Sequence, residues 1–182
     1  MISDGIVSIL DINKIKMYNL KKIVSEASKI KITDVPAEII SCIEKIINDH
    51  HININNIDAN QVKSLLKRMN YPKYYKYSFI ISCALKNIIP PTINKKDIEI
   101  IFSIISNIAE SNECIMFHKM SCCNFYLRKI CNLLYLDEYL DYFILPEYFE
   151  KKIHLLDDQL IWKKLCDCNY KKWMNYPGFY NT

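Results

Sequence analysis

Between Asp58 and Asp97 the chain carries eight basic residues and no acidic one: Lys63, Lys67, Arg68, Lys73, Lys76, Lys86, Lys95 and Lys96. Within that window Lys73-Tyr74-Tyr75-Lys76-Tyr77 interleaves ammonium groups with aromatic rings, a composition that can pair with phosphates and stack on bases. The same pattern also describes tyrosines packed at the edge of a helical bundle with their hydroxyls in water. No base-reading signature accompanies it, so contact with duplex DNA here is expected at the phosphate backbone. A second cationic pair, Lys163-Lys164, lies in the stretch LDDQLIWKKLC (Leu156–Cys166). There Trp162 falls with Ile161, Leu165 and Cys166 on one face. Trp162, Leu165 and the later Trp173 read as structural anchors, and the two flanking lysines as contact residues.

Other chemistry finds little support. A phosphate-cradling loop needs clustered glycines, and the chain has two, Gly5 and Gly178. His50, His51, His118 and His154 stand in no frame suited to serine hydrolysis, and none of the eight cysteines has a recognisable nucleophile context. Zinc wants four ligands, usually presented in Cys-x2-Cys pairs. Cys122-Cys123 would point to different faces of a helix, and Cys166-x-Cys168 is one residue short. Cys42, Cys83, Cys114, Cys122, Cys123, Cys131, Cys166 and Cys168 mostly fall in apolar helical patterns, where a reduced thiol packs as a small hydrophobe. The expectation is a non-enzymatic protein with no cofactor and no metal site.

The elements that must position these residues are helical. ITDVPAEIISCIEKIIND suggests an N-cap at Asp34, Pro36 in the first turn, and Ile39, Ile43, Ile46 and Ile47 inward. In the next segment Asp58 and Gln61 form a capping-box pattern. Val62, Leu65, Leu66 and Met69 make its buried stripe, with Lys63, Lys67 and Arg68 outward. Asn70-Tyr71-Pro72 breaks this helix, and the Tyr-rich segment runs on to Pro90-Pro91. Asn94 with Asp97 starts a helix through Ile98, Ile101, Phe102, Ile105 and Ile108, apolar on most sides and therefore expected to be central. Residues 117–134 should turn Phe117, Met120, Leu127, Ile130, Cys131 and Leu134 inward. A short acidic helix then leads to Pro146, and Asp157 caps the last one.

No strand alternation survives, so the class is all-α, a compact multi-helix bundle. With 182 residues, 51% of them hydrophobic, the chain can bury a sizeable core. Residues 1–32 are expected to form an N-terminal helix or mobile arm and 33–182 the helical domain. No apolar run reaches the roughly 18–20 residues of a membrane span, and the N-terminus shows no secretion leader. Net charge is +4, with the sign reversed between Lys129 and Lys151, where Asp137, Glu138, Asp141, Glu147 and Glu150 meet no base. One reading is a basic side and an acidic side that orient the molecule on a polyanion or a polymerase; the other is ordinary solvated helix faces.

The ordered set IDANQVKSLLKR, YPKYYKY, PPTI, FYLRKICNLLYLDEYLDYF and LDDQLIWKKLC, followed by a second Trp, resembles the poxvirus late transcription factor 3 family of large nucleocytoplasmic DNA viruses, over roughly residues 35–175. Tyr74 and Tyr75 match the family's aromatic pair. Lys129, Ile130, Leu133, Leu134, Asp137, Glu138, Tyr139 and Leu140 match its long helix and the element after it. Trp162, Lys163, Lys164, Cys166 and Trp173 match its closing motif. Departures are Asn87, where a Gly often precedes the Pro pair, and Lys119-Met120 in place of an Asn-Phe start to the long helix. A further departure is the N-terminal zinc-binding Cys cluster of family members, which these residues do not contain, so a role that depends on a zinc ribbon docking into a polymerase is not expected of them.

The resemblance implies a viral late transcription factor that bridges viral RNA polymerase, with other late factors, and promoter DNA. It also implies a cyclin-like, initiation factor B-like core as the preferred architecture of the bundle. The expected contact residues are Lys63, Lys67, Arg68, Lys73, Tyr74, Tyr75, Lys76, Lys163 and Lys164 on duplex phosphates. It implies residence in the cytoplasmic viral factory or the virion, and no membrane partner. The rival is a host-directed, Bcl-2-like helical interaction module that binds protein and no nucleic acid.

Overall fold

The computed structural model describes residues 9–110, 119–146, 149 and 152–181. Every regular element among them is helical: α1 (Ile9–Ala27), α2 (Ala37–Asp49), α3 (Ala59–Arg68), α4 (Ser78–Leu85), α5 (Lys95–Glu110), α6 (Cys123–Leu134), α7 (Lys152–Cys168) and α8 (Tyr170–Trp173), with 3-10 turns between several of them. The all-α class therefore holds. The chain forms two compact units, an inserted unit of residues 26–93 and a terminal unit of residues 1–25 and 94–182.

In the inserted unit, Ile39, Ile43 and Ile47 of α2 are buried at the expected helical spacing. They meet Val62, Leu65 and Leu66 of α3 and Ile81 and Leu85 of α4 in one core, with Val35 and Ile57 from the connecting segments. The start of α2 differs from expectation. Asp34 belongs to a preceding 3-10 turn, where its carboxylate accepts from the Lys31 amide at 3.0 Å, and Pro36 itself occupies the N-cap. Proline has no side-chain acceptor, so α2 starts without a side-chain cap, and the Asp34 carboxylate is used on the turn before it. At α3 the capping box forms as read. The Gln61 amide donates to Asp58 Oδ1 at 2.8 Å, and the Asp58 amide donates to Gln61 Oε1 at 2.9 Å. Met69 and Lys63 are half-buried, Met69 more exposed and Lys63 less so than expected.

Four helices, α2, α3, α4 and α6, end by one device. His51, Asn70, Asn87 and Tyr135 have φ of 53°, 58°, 55° and 55°. In each case the next amide reaches back to a carbonyl five residues earlier: Ile52 to Ile47, Tyr71 to Leu66, Ile88 to Cys83 and Leu136 to Cys131. This is the Schellman closure, in which a left-handed residue lets the chain satisfy the last helical carbonyls. Glycine is its usual occupant. With so few glycines the chain uses Asn twice, at Asn70 and Asn87, the residue next best suited to that region.

In the terminal unit, α1 packs through buried Leu20 and Val24. Lys21 Nζ donates to Ser106 Oγ of α5 at 2.7 Å and lies 5.5 Å from the Phe102 ring centre. Lys16 Nζ donates to the Met120 carbonyl. Asn94 caps α5, accepting from the Asp97 amide at 2.9 Å. Ile101, Ile104, Ile105 and Ile108 are buried, but Glu99 and Ser103 face solvent and Ile98 and Phe102 are half-buried. The helix buried nearly all round is α4, where Ser78 and Ser82 satisfy their hydroxyls on the Tyr75 and Phe79 carbonyls.

α6 begins at Cys123, and Leu133 takes the buried place expected of the half-buried Leu134. The acidic segment forms a 3-10 turn, Asp137–Tyr142. Asp157 does not cap the last helix: α7 starts at Lys152 and Asp157 sits exposed inside it. Cys114, Phe117, His118, Glu147, Glu150 and Lys151 lie outside the described residues.

Candidate nucleic-acid interface

Two local rules bring four cations of the inserted unit, Lys67, Arg68, Lys73 and Lys76, onto adjoining elements at one corner. α3 ends in Lys67 and Arg68, both solvent-exposed, where cations also complement the carbonyl end of the helix. The left-handed turn at Asn70 then leads directly into the 3-10 turn Pro72–Tyr77, which packs against α3. In a 3-10 turn side chains three apart eclipse, so Tyr71, Tyr74 and Tyr77 form one ladder and Lys73 and Lys76 another. The ring centres of Tyr71 and Tyr74 are 6.4 Å apart, and those of Tyr74 and Tyr77 are 6.0 Å apart. Lys73 Nζ lies 5.5 Å from the Tyr74 ring centre and Lys76 Nζ 5.3 Å from that of Tyr77, within cation–π range.

Of the two readings the sequence left open, the packing of these tyrosines at a bundle edge is what the fold displays. Tyr74, Tyr75 and Tyr77 are half-buried and pack against the core of the inserted unit, while their ring faces hold the exposed lysines. Lys63, half-buried one turn earlier on α3, stands apart from this exposed group.

Lys163 and Lys164 are exposed on α7, in the terminal unit. Their helix is anchored by Trp162, 2% exposed, whose ring stacks on fully buried Trp173 at 5.9 Å and 25° and approaches Tyr126 at 6.3 Å. Leu165 is fully buried beside them. The three anchor residues are thus core side chains, as their types suggested.

Sequence reasoning missed what fixes the inner face of α7. Asp158, fully buried, accepts from the Tyr126 hydroxyl, the Ser121 hydroxyl and, at 3.2 Å, the Ser121 amide. Burial and this bond to a carboxylate push the Tyr126 hydroxyl far above its ordinary value, so it stays protonated and donates. Lys16 lies close enough to feel the same carboxylate, while desolvation lowers its own pKa. An Asp-Asp pair in a helix reads as solvated surface, yet Asp158 stands three, four and seven residues before Ile161, Trp162 and Leu165 and so shares their inward face, which exposed Asp157 does not. Gly178 was likewise passed over. Its amide donates to the Leu133 carbonyl at 2.9 Å, and a Cβ there would stand 2.8 Å from Leu133 Cα and on top of the Asn132 carbonyl oxygen.

Among the described residues no three His, Cys, Asp or Glu side chains gather where one ion could be held. Cys42 is exposed, against the buried setting expected of most thiols, while Cys83, Cys122, Cys131 and Cys166 are buried. No described helix is long and apolar enough to cross a membrane.

The chain belongs to the family described as "Poxvirus Late Transcription Factor VLTF3 like", which matches residues 7–174. It is thereby a member of a family of viral transcription factors. It is also 28% identical over 166 residues to "Putative transcription factor R429" of Acanthamoeba polyphaga mimivirus, an alignment covering 90% of this chain and 37% of that protein. The chain therefore spans little more than a third of that relative's length. No solved structure matches it.

Proposed function

We propose that the chain acts in viral late transcription by holding the viral RNA polymerase, with its companion factors, at promoter DNA. The carrying observation is the exposed group Lys67, Arg68, Lys73 and Lys76 on adjoining elements of the inserted unit, in a stretch free of carboxylates between Asp58 and Asp97. Such a group attracts the phosphate backbone whatever the base sequence, since it offers point charges and no base-edge readout. Lys163 and Lys164 add a second contact from the terminal unit. The acidic turn with Asp137, Glu138 and Asp141 is left for a protein partner, because it would repel DNA. The working place is the cytoplasmic viral factory, with carriage in the virion.

The test is duplex DNA binding across a salt series, paired with co-purification of polymerase subunits from infected cells. Salt-sensitive binding together with recovery of polymerase supports the reading. Undetectable binding at low salt with no polymerase recovered overturns it, and leaves a helical module directed at host proteins as the better account.

A further inference from the structure

Beside the cationic corner, α3 carries a groove of about 300 Å3 lined by Ile52, Ile57, Asp58, Asn60, Gln61, Ser64, Leu65 and Arg68. Its size is at the small end of ligand sites, roomy enough for one planar ring system and its sugar and too small for a helix. Gln61, Ser64, Leu65 and Arg68 follow one another along a single helical face. Ile52 closes the side: the left-handed residue His51 turns the chain so that this isoleucine stays 39% exposed at the groove edge. Ile57 and Leu65, nearly buried, supply the apolar floor.

The polar rim is a mixed set. The capping box engages Asp58 Oδ1 and Gln61 Oε1, which leaves Asp58 Oδ2 as an acceptor and Gln61 Nε2 as a donor. The Asn60 amide and Ser64 hydroxyl add one of each kind. Arg68 stands at the end nearest the exposed lysines.

We infer that this groove receives a single unpaired nucleobase, read by Asp58, Asn60, Gln61 and Ser64 over the Ile57–Leu65 floor while Arg68 holds the adjoining phosphate; the inference rests on the nucleic-acid reading above. Three features favour a base over an apolar protein side chain. The groove is aliphatic at floor and edge and can receive the apolar face of a ring. Its rim offers donors and acceptors within one small opening, which an aliphatic side chain would leave unpaired. Arg68 is the one cation of the lining and can meet the phosphate of a nucleotide, while the Asp58 carboxylate on the same rim is left to a base amino group. A carboxylate acceptor beside amide donors suits bases with an exocyclic amino group next to a ring acceptor, adenine and cytosine. A base reaches such a site only out of the stack, so the groove adds sequence preference to the sequence-blind backbone contact wherever the duplex is opened.

The experiment compares an intact duplex with the same duplex bearing one bulged nucleotide, each of the four bases in turn, for the unaltered protein and for Ser64→Leu. Ser64 is exposed and Leu is the better helix former, so the variant keeps α3 while filling the groove. Expected are about ten-fold tighter binding of bulged adenine or cytosine than of intact duplex, and loss of that preference in Ser64→Leu with intact-duplex affinity unchanged. Chemical-shift changes at the Asn60 and Gln61 side-chain amides on adding dAMP or dCMP, absent with dTMP, would agree. Equal affinity for bulged and intact duplex overturns the inference and leaves the backbone reading standing. So does a Ser64→Leu variant that keeps base preference, or one that loses polymerase binding with no base preference in the parent. The last result would make the groove a protein-docking site. Absence of any duplex binding takes both readings down.

Discussion

The double substitution Lys73→Gln/Lys76→Gln separates the proposed surface from any other part of the chain. Each phosphate neutralised on duplex DNA contributes about −0.9 to the slope of log affinity against log salt. The exposed corner offers Lys67, Arg68, Lys73 and Lys76, four cations, so the inserted unit alone predicts a slope near −3.6. Raising salt about fourfold then weakens binding about 150-fold. Removing Lys73 and Lys76 halves the slope to about −1.8, and the same salt step costs only about 12-fold. If half-buried Lys63 and the pair Lys163 and Lys164 also reach phosphates, the parent slope approaches about −6.3, but the drop on removing two lysines is the same, about 1.8. Glutamine keeps much of each aliphatic stem over Tyr74 and Tyr77, and exposed substitutions of this kind change stability by roughly 0.5–1 kcal/mol, including the lost cation–π contact. Fluorescence anisotropy on a labelled duplex at several salt concentrations measures the slope, and a thermal melt verifies the fold. A slope in Lys73→Gln/Lys76→Gln equal to that of the parent refutes the reasoning. A drop produced instead by Lys163→Gln/Lys164→Gln alone would move the interface to α7.

Other perturbations test the scaffold. Tyr126→Phe leaves the buried Asp158 carboxylate short of one hydrogen bond, and should cost about 1.5–3 kcal/mol in chemical denaturation; no loss would mean that the carboxylate is solvated. Gly178→Ala drives a methyl into the end of α6, so the melting temperature should fall by several degrees and near-ultraviolet dichroism from the tryptophans should change. Asn87→Gly should leave stability equal or raise it by up to about 1 kcal/mol, whereas Asn87→Val should lower it by about 1–2 kcal/mol, because the position is left-handed. Mapping of alkylation by mass spectrometry should find Cys42 modified ahead of Cys83, Cys122, Cys131 and Cys166. Burial pushes the Cys131 thiol from 9.0 up to about 12. A raised folded value means this contribution is fully present below about pH 9 and is lost as pH climbs toward 12, so denaturant midpoints should fall across that window, and less steeply in Cys131→Ala.

What could be read from sequence was whatever repeats at short range. Helical spacing placed Ile39, Ile43 and Ile47 inward, the Asp58–Gln61 box started α3, and Trp162 with Leu165 proved to be core. Each depends on neighbours within a turn or two, where pattern and structure are nearly the same information. The failures were of a different kind. Asp34 stood in a good capping context, but α2 starts two residues later than that role needs, after Pro36, and Asp34 closes the preceding 3-10 turn instead. Asp157 and Asp158 are equivalent as letters. The choice between exposed cap and buried acceptor was decided by Tyr126 and Ser121, more than thirty residues away.

The buried side of α7 also bears on how its outer side works. Asp158, Trp162, Leu165 and Cys166 face inward at helical spacing and are held by aromatic stacking and by hydrogen bonds to a carboxylate, the stronger class of such bonds. Lys163 and Lys164 therefore project from a backbone with little freedom to turn, although their own side chains are mobile. The corner lysines are presented in the opposite way, from a short 3-10 turn, and are steadied at the side chain by the rings beneath them. A ring-steadied ammonium loses less conformational freedom on meeting a phosphate than a free one does, since part of its rotamer entropy is already spent. On that ground the two lysines of the 3-10 turn should each weigh more in affinity than either lysine of α7, with equal effects on the salt slope. Single Lys→Gln variants compared at one salt concentration distinguish the two sets: a larger affinity loss at Lys163 or Lys164 than at Lys73 or Lys76 would contradict the argument.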